Sequence, residues 1–323
     1  MIPTLVDAQG WSAPPPSAIG GAVESLRQAR SDWRARHDAG RRPASFPVRG
    51  AVEAAVELVS AALYPRRLGQ FRGSEGEEDG FVAAKLLAAA TILEREVAAE
   101  LGYWEAEARG AGFERDQAAT IVRLFVAELG EIRRLIDSDV EAAFLGDPAA
   151  RSVDEILVCY PGAIASLHHR IAHRLYALGA PIAARLVSEL ANERTGVDIH
   201  PGATIGEAFF IDHGTGVVIG ETAIVGARVR LYQHVTLGAR TPLADAAPGP
   251  RDRFARHPIV EDDVVIYAGS TILGRVTIGA GAVIGGNVWL LEDVAAGATV
   301  VQPEARILPR GEGAEVRAAL LDA

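Results

Sequence analysis

Beyond residue 196 an aliphatic side chain returns at every sixth position. Ile199, Ile205 and Ile211 form one run, and Ile219, Val225, Leu231 and Leu237 a second. The third is longer: Val260, Ile266, Ile272, Ile278, Ile284 and Leu290. A companion set of smaller residues lies four positions further on, from Val264 and Ser270 to Val294. Glycine follows the aliphatic anchor at Gly206, Gly220, Gly226, Gly238, Gly279 and Gly285. Such a period specifies a parallel β-helix, in which each repeat is a short strand with one inward anchor and a tight turn. Gly and Asn suit those turns because they tolerate positive φ.

The first part of the chain has a different period. Residues 1–45 are rich in Pro, Gly, Ser and Arg and are expected to be a poorly ordered or loosely packed leader. From about 48 to 194 the apolar spacing is helical. The stretches 81–110 and 116–146 are long amphipathic runs, "GDPAA" (146–150) breaks the pattern, and two shorter helices are predicted at about 162–177 and 181–193. The expected division is therefore a leader over 1–45, an all-α domain over 46–195, a β-helix over 196–308 and a tail over 309–323. The fold class is α+β and multidomain.

Composition removes several classes of function. The net charge of -10 argues against nucleic acid, whose phosphates need a clustered positive surface. Any anionic ligand must then be held by a local arrangement of Arg and backbone N–H groups. No run approaches the ~18 apolar residues of a membrane helix, and the N-terminus lacks the pattern of a secretion signal, so no membrane association is expected. The single cysteine, Cys159, excludes an internal disulfide and a cysteine-rich zinc site. A cytoplasmic location is the default expectation.

The repeat breaks twice. Ile211 and Ile219 are eight apart, and the two extra residues fall within "DHGTG" (212–216). Leu237 and Val260 are 23 positions apart, and the excursion between them, 239–258, ends in "RHP". A loop of this length leaving a compact solenoid is usually functional or disordered. Taken singly, Asp212 reads equally well as a turn residue, and His213, His200 and His234 as hydrogen-bonded structural histidines. His168, His169 and His173 lie on a helix, where packing is the expected role. A carboxylate beside an imidazole is also what general-base catalysis needs, since it fixes the tautomer and stabilises the imidazolium. Asp198 and His213 are 15 residues apart, and the insertion between them prevents spacing alone from placing them in contact.

The blocks "GDPAA" (146–150), "HRIAHRLYALG" (169–179), "GVDIHPGATIG" (196–206), "IDHGTGVVIGETAIVG" (211–226), "QHVTLGA" (233–239), "RHPIVEDDVVIYAGSTILG" (256–274) and "IGAGAVIGGN" (278–287) together resemble the serine acetyltransferases among the hexapeptide-repeat acyltransferases. The resemblance spans about 140–307. It implies a left-handed β-helix, transfer of acetyl from acetyl-CoA to the hydroxyl of L-serine in cysteine biosynthesis, and no metal. It also implies His213 as general base with Asp198 as its carboxylate partner. Asp147, Asp212, Arg256 and His257 fall at the serine-recognition positions, with Arg256 on the substrate carboxylate, and Glu221 is the Glu of the family's GET motif. Gly238, Ala268 and Gly286 match backbone positions along the pantetheine arm, and Arg306 matches the end of the coil near the nucleotide phosphates. A homotrimer, as a dimer of trimers, and L-cysteine as feedback inhibitor at the serine site are further expectations.

Three departures qualify the resemblance. The excursion is longer than the short Gly-rich loop common in the family, Ala239 replaces a frequent second Gly, and the chain ends in Ala323 rather than the Ile that docks into the next enzyme of the pathway. Formation of a cysteine synthase complex is accordingly not expected. The alternatives are a hexapeptide-repeat acyltransferase for another amino acid, alcohol or sugar, a zinc hydratase on the same solenoid, or a non-catalytic scaffold. A zinc hydratase needs three converging histidines, and its typical H-x4-H pair is missing from the six-residue repeats.

Overall fold

A computed structural model describes residues 16–37, 45–108, 112–114, 116–240 and 254–303. The expectations for Arg306, the tail over 309–323 and most of the excursion lie outside the described residues.

Among the described residues eight helices come first: α1 (Pro16–His37), α2 (Arg49–Leu63), α3 (Glu75–Ala108), α4 (Gln117–Ala127), α5 (Leu129–Gly146), α6 (Val153–Cys159), α7 (Pro161–Ala177) and α8 (Pro181–Thr195). α1 falls in the segment read as a leader, and its described side chains from 18 to 37 are all exposed. The run 116–146 is interrupted at Glu128, which ends α4 and begins α5. α7 and α8 each start with proline, whose fixed φ suits a first turn and whose missing N–H is an orphan there anyway. α2 through α8 enclose one apolar core, with Phe125, Ile136, Ile156 and Leu175 among its fully buried members. No described helix is long and apolar enough to cross a membrane.

α8 stops at Gly196, which takes the left-handed conformation (φ 69°) that terminates a helix without side-chain strain. The solenoid starts two residues later. Its strands are β1 (Asp198–Ile199), β2 (Thr204–Ile205), β3 (Phe210–Ile211), β4 (Val218–Ile219), β5 (Ile224–Val225), β6 (Arg230–Leu231), β7 (Thr236–Gly238), β8 (Ile259–Val260), β9 (Val265–Ile266), β10 (Thr271–Leu273), β11 (Thr277–Ile278), β12 (Val283–Ile284), β13 (Trp289–Leu290) and β14 (Thr299–Val300). They stack as three parallel sheets: a first face of β1-β4-β7-β10-β13, a second of β2-β5-β8-β11 and a third of β3-β6-β9-β12-β14. Each coil visits the three faces in turn. Anchor stacks on anchor, as in Ile199 on Ile219 on Leu237 on Ile272 on Leu290. All three runs of anchors are buried, and the companion set fills the space between them.

The corners are not equivalent. The turns entering the first face carry positive φ at Gly196, Gly216, His234, Gly269 and Asn287, and those entering the third face at Ala208, Arg228, Asp263, Gly281 and Gly297. The corresponding residues entering the second face, Gly202, Thr222, His257 and Arg275, do not. The excursion leaves and rejoins the coil at this last corner, between β7 and β8.

A buried ion pair between two helices also grips the backbone of the solenoid. Arg170 of α7 meets Asp139 of α5 through Nε on Oδ2 (3.0 Å) and Nη2 on Oδ1 (2.9 Å), and also donates to the carbonyls of Ile205 and Gly206. Asp139 accepts the Phe209 N–H (2.8 Å), and Ser138 Oγ accepts that of Ala208 (3.0 Å). Burial pushes the Asp139 carboxyl up to about 6 against the pull of Arg170. The backbone leading into β3 is thus fixed to the helices. Just beyond it, α7 lies so close that a Cβ on Gly162 would collide with the Ile211 carbonyl.

Candidate active site

Ile211 leads directly into the first break in the repeat, so the helical domain sets where Asp212 and His213 stand. His213 has positive φ (61°), as do Gly214 and Gly216, and this double reversal accommodates the two extra residues. The imidazole projects into solvent with 75% of the side chain exposed, and its Nε2 is 3.9 Å from Asp212 Oδ1. Asp212 is 15% exposed, and its Oδ2 accepts from Arg230 Nη2 at 2.9 Å.

Asp147 reaches the same corner from the end of α5. Its Oδ1 accepts the Ala149 N–H (2.8 Å) in a local turn and its Oδ2 accepts the Tyr160 hydroxyl (2.6 Å). The Tyr160 bond foremost, then the Ala149 bond, holds this carboxyl below the usual carboxylate range, with Arg230 adding positive charge nearby. Tyr160 is correspondingly pushed up to about 12, chiefly by that bond. Asp198, the first residue of β1, sits on the first face beside this corner. Its ion pair is with Arg185 of α8 at 3.7 Å. Burial raises its pKa, Arg185 counteracts, and Glu189 adds to the rise. Among the described residues no hydrogen bond joins Asp198 to His213.

Arg256 and His257 are elsewhere. They lie where the excursion rejoins the coil, at the corner between the first and second faces, on top of the turn that holds Glu221 and Thr222. Thr222 organises the spot: its N–H donates to His257 Nδ1 (3.1 Å) and its Oγ1 accepts the Arg256 and His257 N–H groups (2.9 and 3.2 Å). With Nδ1 acting as acceptor, the His257 ring presents its proton on Nε2. Burial lowers its pKa, Arg256 lowers it further, Glu221 opposes and Arg275 adds to the fall. Arg275 Nη1 ties the corner together through the carbonyls of Thr222 (2.7 Å) and His257 (3.0 Å). Glu221 accepts the hydroxyl of Tyr176 from α7 (2.7 Å), so the helices brace this corner as well. Gly220 leaves the room that the His257 ring fills.

The remaining expected positions divide between the two corners. Gly238 ends β7 on the side of His257. Ala268 and Gly286 lie on the side of His213, one coil apart, where Asn287 N–H donates to the Ala268 carbonyl (2.8 Å). His234 stands on the His213 side too, its ring packed where a Cβ of Gly216 would be.

The segment 257–291 matches the family of bacterial transferase hexapeptide (six repeats) proteins. A plasmid-borne serine acetyltransferase of Synechococcus elongatus is 45% identical over 289 residues, covering 88% of this chain and 90% of its own. The chain belongs to the serine acetyltransferase family. Among solved structures, serine acetyltransferase isoform 3 of Entamoeba histolytica in complex with cysteine superposes with a TM-score of 0.67 at 30% identity, covering 93% of this chain and 99% of that one. A serine acetyltransferase of Neisseria gonorrhoeae in complex with serine matches with a TM-score of 0.50 at 28% identity, covering 79% of this chain and 96% of that one. The solenoid expected from the six-residue period is thus the left-handed β-helix of the serine acetyltransferases.

For a member of this family, several residues at the site escape motif reading. Tyr160, Arg230 and Arg275 lie outside the matching blocks, while Tyr176 and Thr222 lie inside them without a role assigned. Arg230 and Arg275 fall where the repeat expects an exposed residue, and only the folded coil shows what each one grips.

Proposed function

We propose that this chain transfers the acetyl group of acetyl-CoA to the hydroxyl of L-serine, giving O-acetyl-L-serine and CoA, at a site assembled from two copies of the chain. The observation that carries this reading is the division of the recognition residues between two corners of one solenoid. Asp147, Asp212 and His213 supply carboxylates and a base at one corner; Arg256 and His257 supply a guanidinium and an imidazole N–H at the other. Serine carries an ammonium, a hydroxyl and a carboxylate; at one corner the guanidinium of Arg230 is already bonded to Asp212 and the Gly146 carbonyl, and at the other the Glu221 carboxylate already accepts from Tyr176, so the two corners complement each other. A threefold ring places one copy's second-face corner against the next copy's first-face corner, completing the set at every interface. Stacking two such rings through the helical domains gives the expected dimer of trimers.

Within this reading the acidic pair Asp147 and Asp212 takes the ammonium, and Arg256 the carboxylate, through charge-assisted bonds suited to guanidinium geometry. His257 adds a neutral donor, and Glu221, already braced by Tyr176, supports that donor. His213 takes the hydroxyl proton as the serine oxygen attacks the thioester carbonyl. A C–O bond forms, the C–S bond breaks, and the imidazolium returns its proton to the departing sulfur. Asp198, at the start of the neighbouring β1, is assigned as the carboxylate partner of His213. Ala268 and Gly286 on one corner and Gly238 on the other line the two sides of the groove proposed for the pantetheine arm, with Arg306 assigned to the nucleotide phosphates. L-cysteine differs from serine only at the reacting atom, so the same groups bind it, which makes it the expected feedback inhibitor.

The direct test is thiol release from acetyl-CoA by the purified protein with and without L-serine. Serine-dependent release is expected, and His213→Ala lowers turnover by roughly 10²–10⁴-fold, as usual for loss of a general base. Undiminished turnover in that variant removes His213 from the chemistry. Release with a different alcohol alone changes the substrate.

A further inference from the structure

We infer that Arg230 is a positioning residue that sets the spacing and net charge of the acidic pair Asp147 and Asp212, and thereby selects a substrate with a single ammonium group. This rests on the reading of that corner as the serine site.

Arg230 opens β6 and points outward from the third face. Its guanidinium lies between two rings, 4.8 Å from the centroid of Phe210 and 4.7 Å from that of Tyr232. From there Nη2 donates to Asp212 Oδ2 (2.9 Å) and Nη1 to the carbonyl of Gly146 (2.9 Å). Gly146 is the residue before Asp147 and the last of α5. One planar group therefore bonds to both segments that carry the acidic pair, one from the helical domain and one from the solenoid. The side chain is 25% exposed, so these bonds are only partly screened by water.

The attachment is selective. Arg230 occupies the oxygen of Asp212 that faces away from His213, leaving Oδ1 toward the imidazole at 3.9 Å. Asp147 is pinned independently by Tyr160 and its own turn. The corner thus holds two carboxylates and one guanidinium, a surplus of one negative charge, which one ammonium neutralises. Lysine cannot replace this arrangement, because one ammonium does not reach two divergent acceptors while filling a slot between two rings.

The test compares wild type, Arg230→Gln and Arg230→Lys as full-length proteins, by initial rates against serine and against acetyl-CoA and by thermal melting. Loss of a charge-assisted bond at the pocket wall is expected to raise KM for serine about tenfold or more in Arg230→Gln. KM for acetyl-CoA and the melting temperature should stay near wild type, and Arg230→Lys should recover only part of the loss. A crystal structure of Arg230→Gln should show the Asp212 carboxylate displaced. Unchanged KM for serine, or parallel rises in both KM values with a fall in melting temperature, overturns the positioning role while the serine reading stands. A wild-type protein without serine-dependent thiol release overturns both.

Discussion

Gly220 shows how tightly a single residue can govern the site. The His257 ring occupies the space a Cβ at position 220 would take, and nothing softer is in the way. Gly220→Ala should therefore push the imidazole off Thr222 while leaving the buried anchors Ile219 and Val225 in place. The expected result is a fall in kcat/KM for serine of about tenfold or more, the size of a lost charge-assisted or buried hydrogen bond, with little change in melting temperature. Steady-state rates beside a thermal melt check this, and an unaltered kcat/KM would show that the ring position is irrelevant. At this scale the sequence was partly legible. Asp212, His213, Arg256 and His257 announce themselves because they sit where the repeat is broken. Arg230 does not, because an outward strand position inside regular repeats carries no mark of what lies beside it, and the GET block that holds Thr222 does not say that this threonine grips His257.

Among the elements, α7 has an unusual load. It buries His168 and His169 and half-buries His173, and loss of solvent is the main cause of the lowered pKa in each. His168 and His173 are hydrogen-bonded to the carbonyls of Ile164 (2.8 Å) and Pro201 (2.9 Å). A histidine whose folded pKa lies below its unfolded value binds fewer protons when folded. Its contribution to stability is present above the unfolded pKa of about 6.5 and is lost as pH falls through the folded value. Each such group removes about 1.4 kcal/mol per pH unit within that window. Asp139 acts in the opposite sense, since its pKa is raised, and offsets part of the loss between about 6 and its ordinary value. Thermal melts from pH 7.5 to 5 should show a marked decline below 6.5; a flat profile contradicts neutral burial of these rings. The elements themselves were largely legible, because periods of six and of 3.6 each mark their own architecture. The break at Glu128 was not. α4 and α5 turn their apolar faces to one core, so the helical spacing runs on through the interruption.

For the molecule as a whole, the solenoid's three sides keep apart the two sets of residues that the proposed reaction would bring together. The order of faces assigns the Asp212–His213 break to one corner and the end of the excursion to another. The period of the sequence fixes the coil, but the two-residue and 20-residue interruptions decide which corner carries which residues. Each site is proposed to be shared between two copies. Two variants, His213→Ala and Arg256→Glu, are each expected to be nearly inactive at low serine. Co-expressed and purified as mixed rings, they should recover about a quarter of wild-type activity, the share of interfaces in a random ring that pair one intact half with the other. Activity no greater than the sum of the separate variants would place the whole site within one chain and contradict the account.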